Sequence, residues 1–434
     1  MNPGRRDGKR QSPRKRDAAN NEDKADADQS PARRTMEGGI FVGIPDFKPA
    51  AVYFNMVGQF GGPCFDRSAN VWKKSLPVEV DGSIDVSGTW EYAQVRHLAQ
   101  TPEQAETAAN YVGQVAKQVT GRIFITVLRE APNRNGELNL EEVDGITMSG
   151  FWLDKTKFVT CAHFLQTVFD TNADETEKFL KTANPPRPRA FVSNKKAANQ
   201  GLMPDSPESW PVYLLRVSRT SDIAIFELTK AAAKGGKHPP HSMKPSDLSA
   251  LLTATTSENA SGFSSKETDV SYLRLFAAYY PGSDPTVEAS DFSPERKQFA
   301  KDANIAGAWR LLCDEGRKLN PGATKKPADF ADTFAPHTRS VAFGQVETTH
   351  RAIPCHAKSG NSLFAQTREC SIVGTYGCSG GMVCHVYREA GSWRSVVVGL
   401  FHGESWNDRR YNEIVAFTPA FVDAVRTGSF WDTA

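Results

Sequence analysis

Three side chains of this 434-residue chain have the types and surroundings for nucleophilic catalysis: His163, Asp222 and Ser379. Ser379 lies in Gly374-Thr375-Tyr376-Gly377-Cys378-Ser379-Gly380-Gly381, where glycines on both sides permit a tight turn that presents one hydroxyl. Such a turn also lets the backbone N–H groups of Gly377 and Ser379 converge on one point, as an oxyanion hole requires. A serine hydroxyl is a weak nucleophile near neutral pH. It therefore needs a base to take its proton and a third group to orient that base. His163 follows the apolar stretch Lys157–Cys161, and Asp222 opens the alternating stretch Ile223–Leu228, so the chain order is His, Asp, Ser. Each residue also has an ordinary reading: a serine in a loop, a satisfied histidine beside a strand, an aspartate at a turn. Their joint occurrence carries the chemical reading.

The segments around these residues resemble those of trypsin-like serine proteases. Phe158-Val159-Thr160-Cys161-Ala162-His163 is similar to the family's Val-Leu-Thr-Ala-Ala-His, Asp222-Ile223-Ala224-Ile225 to its Asp-Ile-Ala-Leu, and Gly377 through Gly381 to its Gly-Asp-Ser-Gly-Gly. Ser149-Gly150-Phe151, Val396 to Gly399 and Asn412 to Ala416 support the same register, and the likeness spans about residues 120–427. It implies a mainly β fold of two six-stranded antiparallel barrels of chymotrypsin-like type. It implies a serine endopeptidase with His163 as base, Asp222 as its orienting carboxylate and Ser379 as nucleophile. The alternatives are a catalytically silent protease fold that serves as a binding scaffold, and a virus-like processing protease.

The chain departs from the family beside the nucleophile. Cys378 stands where an aspartate would pair with a newly cut N-terminus, so activation by that ion pair is not expected. Cys378 also raises a cysteine nucleophile, although the Gly-x-Ser-Gly-Gly register favours Ser379. By the same register Val373 falls at the base of a primary pocket, with Phe401, His402 and Gly403 along its wall. Valine there offers no buried carboxylate for Lys or Arg; Phe401 and Val373 suggest a small or apolar side chain, and His402 an acidic one.

The elements that would position these residues can be read from the pattern. Residues 1–37 are polar, with a basic first half, and cannot bury enough surface to fold; the clusters at Arg5–Arg16 read as a solvated tail or as a targeting or phosphate-binding arm. Residues 38–121 form an extension with short strands at Phe41–Phe54 and Val78–Val86 and a helix capped by Thr101, with Pro102 in its first turn. The first barrel is expected over about 122–230 and the second over about 268–427, interrupted by a helical insertion at about 285–335. Either the extension or the insertion is a natural place for a regulatory partner.

The charge balance, 52 Lys and Arg against 50 Asp and Glu, gives no argument for a nucleic-acid partner. No segment has the apolar length of a membrane span, and no hydrophobic stretch follows the N-terminal charges, so the reading is an intracellular protein of cytoplasm or nucleus. The seven cysteines are odd in number, and the disulfide positions of the secreted relatives hold Phe164 and Thr375, which fits a reducing compartment. His350, Cys355, His356 and Cys370 match no common zinc spacing, so no metal or cofactor is expected. The implied partner is a protein or peptide substrate.

Overall fold

The computed structural model describes residues 65–66, 71–95, 98, 101–133, 135–165, 172–197, 208–253, 273–282, 334–346, 353–354, 365–375, 377–404 and 412–428. Most of the N-terminal tail and extension, the strand expected at Phe41–Phe54, the insertion expected at about 285–335 and three of the four residues drawn as a zinc set lie outside them.

After a two-stranded ladder of β1 (Phe65–Asp66) with β2 (Val71–Trp72) and the short β3 (Leu76–Pro77), six strands close the first barrel: β4 (Thr120–Pro132), β5 (Leu138–Trp152), β6 (Lys157–Thr160), β7 (Ala190–Ser193), β8 (Ser209–Ser218) and β9 (Ile223–Leu228). They pair in the order β4-β5-β6-β9-β8-β7, and β7 returns to β4 through Arg122↔Ser193 to Ile125↔Ala190. Ile123, Ile125 and Val127 of β4 point inward on the period of two that a strand requires, against Val159, Ile225 and Leu214 in one core. A ladder joins every neighbouring pair of strands in this barrel, with register shifts at Ile125/Thr126 and Leu214/Arg216.

The second barrel repeats that connectivity. Its strands are β10 (Arg274–Tyr279), β11 (Ser340–Gln345), β13 (Ala365–Cys370), β14 (Met382–Glu389), β15 (Ser392–Glu404) and β16 (Asn412–Phe417). The pairing β13-β16-β15-β14-β10-β11 is the same 1-2-3-6-5-4 circuit as in the first barrel. The circuit closes differently, through the single bridge Val346↔Cys370 with Ser371 N–H on the Gln345 carbonyl at 3.0 Å and Gln345 N–H on Ser371 Oγ at 3.1 Å. Two short strands extend this sheet beyond the circuit, β3 (Leu76–Pro77) on β11 and β12 (Ile353–Pro354) on β13, so the sheet has eight strands in all. The fold is thus a mainly β, chymotrypsin-like pair of antiparallel barrels.

The N-terminal segment packs on the second barrel through β3, through Arg274 donating to the Leu98 carbonyl, and through Tyr111 Oη against Ser395 Oγ at 3.0 Å. Its helix runs over Pro102–Val119, with Thr101 Oγ1 accepting from the Gln104 N–H and Ala105, Ala108 and Val112 buried along one face. Val78–Val86, expected as a strand, is a looped segment. The carboxylates of Asp81 and Asp85 take the N–H groups of Ser83 and Ser87, and Gly82 turns at φ +91°, so local side-chain bonds replace a ladder while Val78, Ile84 and Val86 still reach the core.

Candidate active site

His163 begins a short 3-10 turn, His163–Leu165, directly after β6. Phe164 and Leu165 are buried behind it, and the Phe164 ring meets Phe226 at 5.8 Å, which fixes the turn against the first-barrel core. Asp222 caps the 3-10 turn Arg219–Ser221 in left-handed conformation, φ +51°, just before β9. Aspartate tolerates that region better than most residues, and here it aims the carboxylate back at the His163 turn. Asp222 Oδ1 accepts the Ala162 N–H at 2.8 Å, and Oδ2 accepts from His163 Nδ1 at 2.9 Å. Both side chains are buried, His163 at 7% and Asp222 at 2% exposure.

Ser379 comes from the other barrel, on the turn between residue 374 and β14. Gly377 at φ +80° and Gly380 at φ +83° form its two bends. A Cβ on Gly380 would meet Thr160 Oγ1 at 2.2 Å and the Ser149 carbonyl at 2.3 Å, so only glycine lets the turn come this close to the first barrel. Ser149 of β5 holds it there. Its N–H donates to the Ser379 carbonyl at 2.9 Å, its hydroxyl donates to the Gly377 carbonyl at 2.5 Å, and the same oxygen accepts the Tyr280 N–H at 2.8 Å. The amides of Cys378, Gly380 and Gly381 are committed to Thr375, Phe401 and Cys378 carbonyls; among the described residues no hydrogen bond takes up the Gly377 or Ser379 N–H.

The positions read as a primary pocket are placed as follows. Val373 is buried in the second-barrel core. The Phe401 ring lies on Gly374, where an added Cβ would stand 2.2 Å from ring carbon Cζ, and it also meets Tyr279 at 5.7 Å. Gly403, at φ +151°, sits at an irregularity in the β15–β16 pairing. The His402 ring turns to Asp222, its Nδ1 donating to Oδ2 at 2.7 Å, while its main-chain carbonyl accepts the Ser379 hydroxyl at 3.0 Å. The sequence reading placed His402 only on the pocket wall; nothing in its local sequence signals a partner 180 positions away.

Charge follows this geometry. Burial pushes the Asp222 carboxyl up, but the charge of His163 and hydrogen bonds from both imidazoles outweigh it and hold the group well below the usual carboxylate range. For His402, burial works downward and is outweighed by the hydrogen bond and charge of Asp222 and by the charge of Glu413, so its imidazole is raised.

Cys378 does not fit a nucleophile. It is fully buried, its Sγ accepts the Thr375 N–H at 3.3 Å, and burial pushes the thiol far above its ordinary range, so no thiolate is at hand. Cys161, His163, Asp222 and His402 bring donor atoms within 4.8 Å of one another, a grouping that could suggest a metal. Those atoms are engaged with each other and with the Phe401 carbonyl, which accepts from Cys161 Sγ at 3.5 Å, so the cluster is a hydrogen-bond network.

No family model and no curated protein matches the sequence. Among solved structures, the chain is similar to the active form of the Rv3671c protease of M. tuberculosis (TM-score 0.32, 11% identity, 71% of this chain and 80% of that one). It is similar also to Deg5 (TM-score 0.36, 12% identity, 77% and 99%) and to an inactivated protease paralogue of the scabies mite (TM-score 0.32, 13% identity, 73% and 96%). Likeness at this level carries no argument about chemistry; the site stands on its own geometry, a buried His-Asp pair in one barrel and, in the other, a glycine-bounded serine turn hydrogen-bonded to Ser149 of the first.

Proposed function

We propose that the protein is a serine endopeptidase. The observation that carries this reading is the hydrogen bond from His163 Nδ1 to Asp222, beside a serine turn drawn against the same barrel by Ser149. A proton held on Nδ1 leaves Nε2 as the base. His163 takes the Ser379 proton as Oγ attacks the scissile carbonyl, and later returns it to the leaving amine. Asp222 stabilises the imidazolium, and the Gly377 and Ser379 N–H groups receive the oxyanion. The sequence register that sets Val373 and Phe401 at a primary pocket supports a small or apolar residue before the scissile bond.

A silent or latent protease fold is the second reading. One observation favours it: the Ser379 hydroxyl is hydrogen-bonded to the His402 carbonyl, an arrangement that a catalytic turnover must break. Labelling the full-length protein with a fluorophosphonate separates the two. The endopeptidase reading expects labelling that is lost in Ser379→Ala and His163→Ala and kept in Cys378→Ala. A wild-type protein that does not label, at any pH, would sink it.

A further inference from the structure

We infer that His402 is a titratable positioning residue: from the second barrel it holds the carboxylate that orients His163, and its protonation state sets whether that carboxylate can support a charge on His163. The inference rests on the serine-peptidase reading. Two imidazoles share one oxygen. Asp222 Oδ2 accepts from His163 Nδ1 at 2.9 Å and from His402 Nδ1 at 2.7 Å, and the rings stand edge to face with centroids 5.4 Å apart. His402 is as buried as His163, and its main chain accepts the Ser379 hydroxyl. One residue therefore touches both the nucleophile and the orienting carboxylate.

The groups facing His402 can be named. From the first barrel they are His163, Asp222 and the Cys161 thiol; from β16 it is Glu413, whose negative charge acts on the ring. When His402 is neutral, its Nδ1–H fixes Asp222 while the carboxylate keeps its full charge for the imidazolium that forms on His163. When His402 is protonated, a cation already sits on Oδ2, and a second one on His163 is disfavoured. The reaction then needs both imidazoles neutral before attack. Activity should fall in two steps on the acid side, reaching the second power of proton concentration below both titrations, where a lone base gives the first power throughout.

Stability should move the opposite way. A folded-state imidazole raised above its unfolded value stabilises the fold fully below the unfolded value, and that contribution is lost as pH rises through the folded one. Protonating His402 would thus favour the fold while it slows the chemistry.

The test is the rate of fluorophosphonate labelling of the full chain between about pH 5 and 9, where imidazoles titrate. His402→Gln can keep a donor toward Asp222 but cannot titrate; the expected result is a first-power acid limb and retained labelling at lower pH. His402→Ala loses the donor, and labelling should fall roughly 10- to 100-fold, the range for losing a hydrogen bond to a charged group. An acid limb of the same midpoint and order in wild type and His402→Gln overturns the inference. Proton NMR of the imidazoles in the wild-type protein needs neither activity nor a folded variant. Two coupled titration steps at His163 support the inference, and a single independent step sinks it. If no serine labels but the titrations are coupled, the peptidase reading fails and the His402 linkage stands.

Discussion

The two barrels share one strand circuit yet are completed in different ways, and they contribute different parts of the site. The first closes with a ladder between every neighbouring pair of strands and supplies His163 and Asp222, a buried hydrogen-bonded pair. The second closes through one bridge at Val346↔Cys370 and supplies Ser379 on a turn with two positive-φ glycines. The serine turn is held from outside its own barrel, by Ser149 and against Thr160. The barrel closed by ladders thus carries the His-Asp pair and holds the serine turn of the other, and His402 returns the contact by reaching from the second barrel to Asp222.

The strongest way to break this comparison is at the pair itself. Asp222→Asn keeps the shape but disturbs the tautomer at His163, and the labelling rate should fall by about 10⁴-fold while the folded protein persists. A small change there would mean the pair does not drive the chemistry. Next comes the contact between barrels: Gly380→Ala forces a side chain into φ +83° and onto Thr160 Oγ1, costing about 1–3 kcal/mol in backbone strain before any clash. Thermal unfolding should shift down and labelling should be lost together. Ser149→Ala is milder. It leaves the N–H to Ser379 in place but removes the hydroxyl between Gly377 and Tyr280, and should cost about 1–3 kcal/mol with a partial loss of labelling. The smallest effect is expected far from the site, where Thr101→Ala removes a helix cap worth about 1 kcal/mol. Its labelling rate per folded molecule should equal that of the wild type, and a slower rate would show that the N-terminal helix reaches the chemistry.

The local elements of the candidate site were legible in the chain. Local signals sufficed for the strand that delivers His163, the turn that bears Ser379, the aspartate before β9 and the helix capped by Thr101, because each depends on spacing within a few residues. Val78–Val86 was misread because its apolar residues alternate like a strand while two Asp-Ser pairs, Asp81 with Ser83 and Asp85 with Ser87, fold it into turns.

Other features were decided only by the tertiary structure. Cys378 and Ser379 are adjacent, and only the packing of the turn shows that the thiol points into the core. Ser149 lies far from Ser379 in sequence, and His402 lies 180 positions from Asp222, yet each pair is in hydrogen-bond contact. Sequence alone determined which side chains could do chemistry and which local elements carry them, since periodicity, turns and caps are short-range. Which of them meet, and which imidazole also rests on the carboxylate, followed from closing two barrels against each other, because burial and charge coupling act through space.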